Sequence, residues 1–138
     1  MHQVTSTQMR TTAVAQGTAN LVGGLWALLS MRSFEAVFGP KYDRWLVRTV
    51  AGLLVATGWT LLRTPADPAA LVQARRLGTG TAATLLTIDL VYVSAGRIRW
   101  TYLIDAVTES AWLAAWMAAG GPDGSGVPRA ASARQPTD

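Results

Sequence analysis

Four apolar segments of about 20 residues dominate this sequence and constrain its fold more than any other feature. They cover residues 12–31, 45–63, 77–95 and 101–119, with charged or Gly/Pro-rich stretches between them. An α-helix rises about 1.5 Å per residue, so roughly 20 apolar residues cross the roughly 30 Å hydrocarbon core of a bilayer. The lengths of the segments therefore predict four transmembrane helices.

A soluble four-helix bundle is the main alternative, and the composition argues against it. Half of the residues are hydrophobic and only 14% are charged, whereas soluble domains carry about 25% charged residues. A soluble bundle would also show a polar face on each helix, yet residues 51–62 (AGLLVATGWTLL) contain no charge. We therefore expect an all-α integral membrane protein, a four-helix bundle with up-down-up-down topology.

The regions around this transmembrane domain (12–119) are more polar. Residues 1–11 form a polar N-terminal segment, and the prolines of TPADPAALVQ (64–73) indicate a short interfacial helix. A second short interfacial helix is expected around residues 34–38, where Phe34, Val37 and Phe38 share one side of a helical turn. Residues 120–138 are rich in Gly, Pro, Ser and Ala, which predicts a disordered tail.

The location and orientation of the protein follow only in part from the charges. Eleven arginines against one lysine, with abundant Ala, Gly and Thr, indicate a GC-rich genome and favour the bacterial cytoplasmic membrane. Four spans place both termini on the same side. Six basic residues fall on each side of the predicted membrane, so the positive-inside rule assigns neither side to the cytoplasm.

Three carboxylates inside the apolar segments are the candidate functional groups. Only GRIRW (96–100) separates the third segment from the fourth, so these two should form a tight hairpin. Asp89 then lies roughly 9 Å before the turn, and Asp105 and Glu109 lie roughly 6 and 12 Å after it. Because an acid that faces lipid costs about 3 kcal/mol or more, we expect all three to face the interior at a similar depth.

Helical spacing adds further side chains to this predicted pocket. Steps of three or four residues place partners on the same helix face, and Arg48 enters the membrane from the side where the acids lie. The candidate ligand- or proton-binding residues are therefore Asp89, Asp105, Glu109, Tyr92, Arg48, Trp59, Trp112, Trp116 and Asn20.

Several kinds of chemistry lack the residues they need. The chain has no cysteine and a single histidine, His2, in its polar N-terminal segment. No catalytic nucleophile, metal-ligand set or cofactor motif is recognisable, so we predict no catalytic residues, metal or cofactor. The basic residues lie in short clusters between apolar segments, which favours contacts with lipid headgroups over nucleic acid binding.

Two stretches, FGPKYDRWLVRTV (38–50) and DLVYVSAGRIRWTYLIDAVTE (89–109), resemble those of uncharacterised small four-span bacterial integral membrane proteins. The resemblance covers most of residues 33–116. It implies a membrane protein of the same architecture, and it implies no activity.

Three classes of function are compatible with these features. In the first, a pocket binds or moves a small cationic or amphipathic ligand, or protons, with the acids as counter-charges and indoles as walls. In the second, an accessory protein packs against another membrane protein or a second copy of itself. The acids would only hold helices together. The contact would be mediated by two small-residue stripes, which are Ala15, Ala19, Gly23 and Ala27 in the first segment and Ala106, Ser110, Ala114 and Ala118 in the fourth. In the third, an intramembrane acid/base enzyme acts on a lipid-like substrate.

Overall fold

The computed structural model of the chain describes residues 2–120, and all regular elements of this part are α-helices. The five helices are α1 (His2–Leu29), α2 (Met31–Phe38), α3 (Arg44–Leu62), α4 (Pro68–Ser94) and α5 (Tyr102–Ala119). The all-α prediction is confirmed. Apart from Gly120, the predicted disordered tail lies outside the described residues.

Helix α1 is longer than the first apolar segment, because most of the predicted polar N-terminal segment is part of it. No proline or glycine precedes Gly17, so nothing in the sequence ends the helix early. The hydroxyl groups of Thr11 and Thr12 donate to the carbonyl oxygens one turn earlier, at 2.9 and 3.0 Å. These bonds satisfy polar side chains within the helix itself.

The chain bends sharply between α1 and α2, whose axes differ by 108°. Trp26 lies at this corner, where its indole N–H donates to the Ser33 hydroxyl at 2.7 Å. Its ring also contacts Phe34, with 5.6 Å between the ring centroids. Phe38 in turn lies 4.8 Å from the ring of Tyr102. The short helix expected around residues 34–38 is therefore present and links the first loop to α5, although Val37 points away from this aromatic cluster and is exposed.

Helix α4 begins earlier than predicted. The carboxylate of Asp67 caps it by accepting hydrogen bonds from the backbone N–H groups of Ala69 and Ala70. Pro68 occupies the first helical position, which suits proline. No helix breaker follows before the third apolar segment, so the predicted separate helix after the prolines is instead the first part of one 27-residue helix.

The tight hairpin predicted between the third and fourth apolar segments is present. Gly96 ends α4 with a left-handed backbone conformation (φ +65°), which glycine adopts without steric cost. The backbone N–H groups of Arg97 and Ile98 then donate to the carbonyl oxygen of Tyr92 at 2.9 and 3.3 Å. Helix α5 consequently returns alongside α4.

Helices α1 and α3 form the most extensive contact of the bundle, and glycines allow it. A Cβ atom added to Gly17 would lie 2.8 Å from the carbonyl oxygen of Gly58, and one added to Gly24 would lie 2.6 Å from that of Ala51. Residue numbers rise along one helix as they fall along the other, so the two helices are antiparallel. The face of α1 that carries Gly17 and Gly24 is therefore the side that contacts α3.

Helix α1 also contacts α4 and α5, and the apolar core lies at the end of the bundle where α1 begins. Trp116 of α5 is the largest fully buried side chain there. The same cluster contains Met9, Ala13, Leu61, Leu71, Ala74 and Ala119. The opposite end holds the acids, the α4–α5 turn and α2.

Two of the described helices, α3 and α4, are long and apolar enough to cross a membrane. The bent pair α1–α2 makes a third candidate if it is counted as one broken span. Helix α5 is not among the candidates, since Asp105 and Glu109 lower its hydropathy. The chain is thus a small helical protein with two or three candidate membrane-spanning helices.

Candidate functional site

The α4–α5 hairpin brings Asp89 and Asp105 together. Asp89 lies near the end of α4 and Asp105 in the first turn of α5, and their carboxyl groups are close enough for a side-chain hydrogen bond. Two ionised carboxylates can only accept hydrogen bonds. A hydrogen bond between these groups therefore requires a proton on one of them.

Glu109 lies one turn beyond Asp105 on the same face of α5 and interacts electrostatically with both aspartates. Asp89 and Glu109 are only 3% and 4% exposed. Within residues 2–120, Oδ2 of Asp89 and Oε2 of Glu109 are buried without a hydrogen-bond partner. Since a buried, unpartnered ionised carboxylate is costly, this arrangement favours protonation or a bound cation.

The structure does not bring Arg48 to the acids. Its side chain is exposed, and the ion pair found among the described residues joins Arg44 to Glu35, at 2.8 Å. The reason is the packing of α3, which turns its small residues Ala51 and Gly58 toward α1. Arg48 is left outside the bundle interior.

A different cation, Lys41, lies nearest to this end of the site. Its ammonium group donates to the Tyr102 hydroxyl at 2.6 Å and to the carbonyl oxygen of Phe38 at 3.2 Å. Burial lowers the pKa of Lys41, while the Glu35 carboxylate raises it by a smaller amount. Tyr102 lies one turn before Asp105 and interacts electrostatically with both aspartates. The loop lysine therefore contacts a tyrosine that lies one turn from the acid cluster.

Sequence reasoning missed Tyr102 and Lys41. Tyr102, Asp105 and Glu109 are spaced by three and four residues, so helical spacing alone could have included Tyr102. Nothing in the sequence marks Lys41 as a site residue. Its position depends on the conformation of the loop between α2 and α3.

The predicted aromatic side chains do not surround the acids. Trp59 and Tyr92 are 56% and 45% exposed, although Tyr92 is only three residues from buried Asp89. Trp112 is half-buried. Trp116 is fully buried, but roughly 10 Å along α5 from Glu109 by helical rise.

Trp116 belongs instead to a second buried polar group, which sequence reasoning also missed. Its indole N–H donates to the Gln16 side-chain oxygen at 2.6 Å, and the Gln16 amide donates to the carbonyl oxygen of Gly78 at 3.0 Å. Asn20, one turn further along α1, is buried, and its amide nitrogen has no partner within the described residues. The spacing of Gln16 and Asn20 was the available indication.

These groups form a series along the interior of the bundle, which we call the interior polar series. Fourteen residues of α5, or roughly 21 Å, separate Tyr102 from Trp116 in this series. From the α4–α5 turn toward the opposite end it comprises Lys41, Tyr102, Asp105, Asp89, Glu109, Asn20, Gln16 and Trp116.

The series does not provide a metal centre. Among the described residues, no group of three or more His, Asp or Glu side chains is arranged to hold a metal ion.

No protein-family model, curated protein or solved structure matches this chain. The resemblance to small four-span bacterial membrane proteins therefore stays a prediction. The evidence for a membrane location is the set of candidate spans.

Proposed function

We propose that the chain is a four-span membrane protein of the bacterial cytoplasmic membrane, with α1, α3, α4 and α5 as its spans. Only 17% of the apolar window of α3, and likewise of α4, is buried inside the protein, so lipid would cover the rest. Helix α5 is less apolar because it carries two acids, of which Glu109 is buried. Turning those acids inward allows α5 to cross beside α4.

We further propose that the protein binds protons at Asp89, Asp105 and Glu109 and passes them along its interior. The observation that carries this proposal is the pair of neighbouring aspartates beside an unpartnered, buried glutamate. No cation of the described chain forms an ion pair with these acids. A shared proton removes one of the negative charges and needs less space than any other cation.

A proton also fits the surroundings of the acids better than a larger cationic or amphipathic ligand does. Such a ligand needs aromatic or apolar walls, and the exposure of Trp59 and Tyr92 removes two of those expected. The interior polar series instead offers hydroxyl, carboxyl and amide groups at successive heights. Hydroxyl and carboxyl groups can relay protons, and amide groups can hold intervening water by hydrogen bonds.

Proton flux into proteoliposomes tests this proposal. A potassium gradient with valinomycin sets the driving voltage, and an enclosed pH-sensitive dye reports proton entry. We expect uptake above that of protein-free vesicles. It should be lost in Glu109→Gln and in Asp89→Asn, because an amide cannot carry the transferable proton.

The matched control is Asp43→Asn, which removes an exposed carboxylate of the loop before α3. Its flux should equal that of the unaltered protein. Far-UV circular dichroism of every variant verifies that the helices are intact. Flux at the protein-free level, or equal flux in all variants, would contradict proton passage through the acids.

A second candidate function, an accessory role through self-association, is favoured by one face of α1. Ala15 and Ala19 are exposed, and a Cβ atom added to Gly23 would meet nothing within 4 Å. This small-residue stripe could allow close approach of a second copy in the membrane. Its fourth predicted member, Ala27, is buried within the protein.

Cysteine cross-linking tests this second function, because the chain has no cysteine of its own. In membranes, Ala19→Cys should form a disulfide-linked dimer. Leu53→Cys, on the exposed face of α3, should not. Equal cross-linking of the two variants would exclude a specific α1 interface.

A further inference from the structure

A cleft of about 490 Å³ opens at the end of the bundle that carries the α4–α5 turn. The loop between α2 and α3 forms one wall and residues 96–99 form the other. The cleft has both charged and apolar lining. The cations are Lys41, Arg97 and Arg99, and the apolar surface comes from Leu46, Val47 and Ile98.

The cleft carries an excess of positive charge. Three cations line it, against one carboxylate, that of Asp43. Within the described residues none of the three forms an ion pair. The ion pair near this cleft joins Arg44 to Glu35, whose carboxylate also interacts electrostatically with Lys41. The net positive charge of the cleft therefore favours binding of an anion.

Each cation keeps donor groups free for such an anion. Arg99 donates one bond, of 3.5 Å, to the carbonyl oxygen of Ala36, so most of its guanidinium N–H groups are uncommitted. Gly39 allows Arg99 to pack closely against the loop, because a Cβ atom at Gly39 would lie 2.6 Å from Cδ of Arg99. The Arg97 side chain has no partner among the described residues. Lys41 uses two of its three donors, for Phe38 and Tyr102.

The surroundings place the cleft at the depth of lipid headgroups. Tyr42, Trp45 and Trp100 are exposed at this end of the bundle, and exposed Trp and Tyr side chains are enriched at membrane–water interfaces. Leu46 and Val47, in the first turn of α3, add apolar lining beside the cations. A bound anion would thus have its charged group among the cations and an apolar portion against this lining.

We propose that this cleft binds the phosphate group of an anionic glycerophospholipid. Basic pockets between membrane helices suit such headgroups, and arginine forks match phosphate oxygens. The proposal rests on the membrane location proposed above, and it does not depend on proton binding by the acids.

Lipid retention by the full-length protein tests the site. The protein is reconstituted in nanodiscs of equal phosphatidylcholine and phosphatidylglycerol, extracted into mild detergent, and its retained lipids are measured by native mass spectrometry. We expect phosphatidylglycerol to be enriched on the unaltered protein. Arg97→Gln/Arg99→Gln should reduce that enrichment roughly 30-fold, the order expected for the loss of two cations near an anionic surface.

The matched control is Arg10→Gln/Arg76→Gln, which removes two exposed arginines from the opposite end of the bundle. It should retain phosphatidylglycerol as the unaltered protein does. Equal retention by both double variants, or equal loss, would overturn the assignment to this cleft. Absence of enrichment on the unaltered protein would overturn it without any variant.

A further arm separates a lipid site from a free-phosphate site. Millimolar inorganic phosphate should not displace the retained phosphatidylglycerol, because phosphate lacks the apolar portion that would contact the apolar lining of the cleft. Displacement would overturn the lipid assignment. Since lipid retention is measured without proton flux, failure of either proposal leaves the other open to its own test.

Discussion

Replacing Gly58 with alanine should separate α1 from α3. The added Cβ atom would lie 2.6 Å from the backbone nitrogen of Leu21 and 2.7 Å from the carbonyl oxygen of Gly17. Both atoms are backbone, so no side-chain rotation relieves the contact, and the helices must move apart by roughly 0.8 Å. Overpacking of this kind costs about 1–3 kcal/mol.

Gly52→Ala is the matched control for this substitution, on the same helix. A Cβ atom at Gly52 would meet nothing within 4 Å, so the control receives only the gain of about 1 kcal/mol from higher helix propensity. Gly58→Ala receives the same gain, and therefore the difference between the two variants isolates the packing cost.

Unfolding in mixed micelles of mild detergent and dodecyl sulfate, followed by far-UV circular dichroism, measures this difference. Gly58→Ala should have a free energy of unfolding about 1–3 kcal/mol below that of Gly52→Ala. Equal stability would refute the close approach of α1 and α3.

Two further predictions concern the two ends of the bundle. Gln16→Leu leaves the indole N–H of Trp116 and the carbonyl of Gly78 unpartnered and should cost about 1–3 kcal/mol in the same unfolding assay, whereas Gln73→Leu on the exposed side of α4 should cost far less. Burial lowers the pKa of Lys41 below its ordinary value of 10.5. Between the lowered pKa and 10.5 the unfolded chain binds more protons than the folded protein, so the free energy of unfolding rises with pH in this range. An alkaline titration of stability should show this rise relative to Lys41→Met, and parallel curves would contradict it.

The acid pair could be predicted because its geometry is local. Asp89 and Asp105 flank one short turn, and helical rise alone places them at a similar height. Tyr102 follows from the same rule. The cap at Asp67 and the proline after it indicated a helix start, but the absence of a breaker before the third apolar segment determined that α4 is one continuous helix.

The position of Arg48 could not be predicted, because it depends on which side of α3 packs against its neighbour. Several stripes of α3 contain small or apolar residues, and helical spacing does not rank them. The backbone contact at Gly58 determines the buried side. Lys41 escaped prediction for a related reason: it lies in a loop, where neither helical nor strand periodicity applies.

Infrared spectroscopy of the protein in lipid nanodiscs at neutral pH can detect a proton held by the Asp89–Asp105 pair. We predict a carbonyl band of a protonated carboxyl group that loses the intensity of one carboxyl in Asp89→Asn and keeps its full intensity in Asp43→Asn. A spectrum without a protonated carboxyl band, or a band that Asp89→Asn leaves unchanged, would contradict a proton held by this pair.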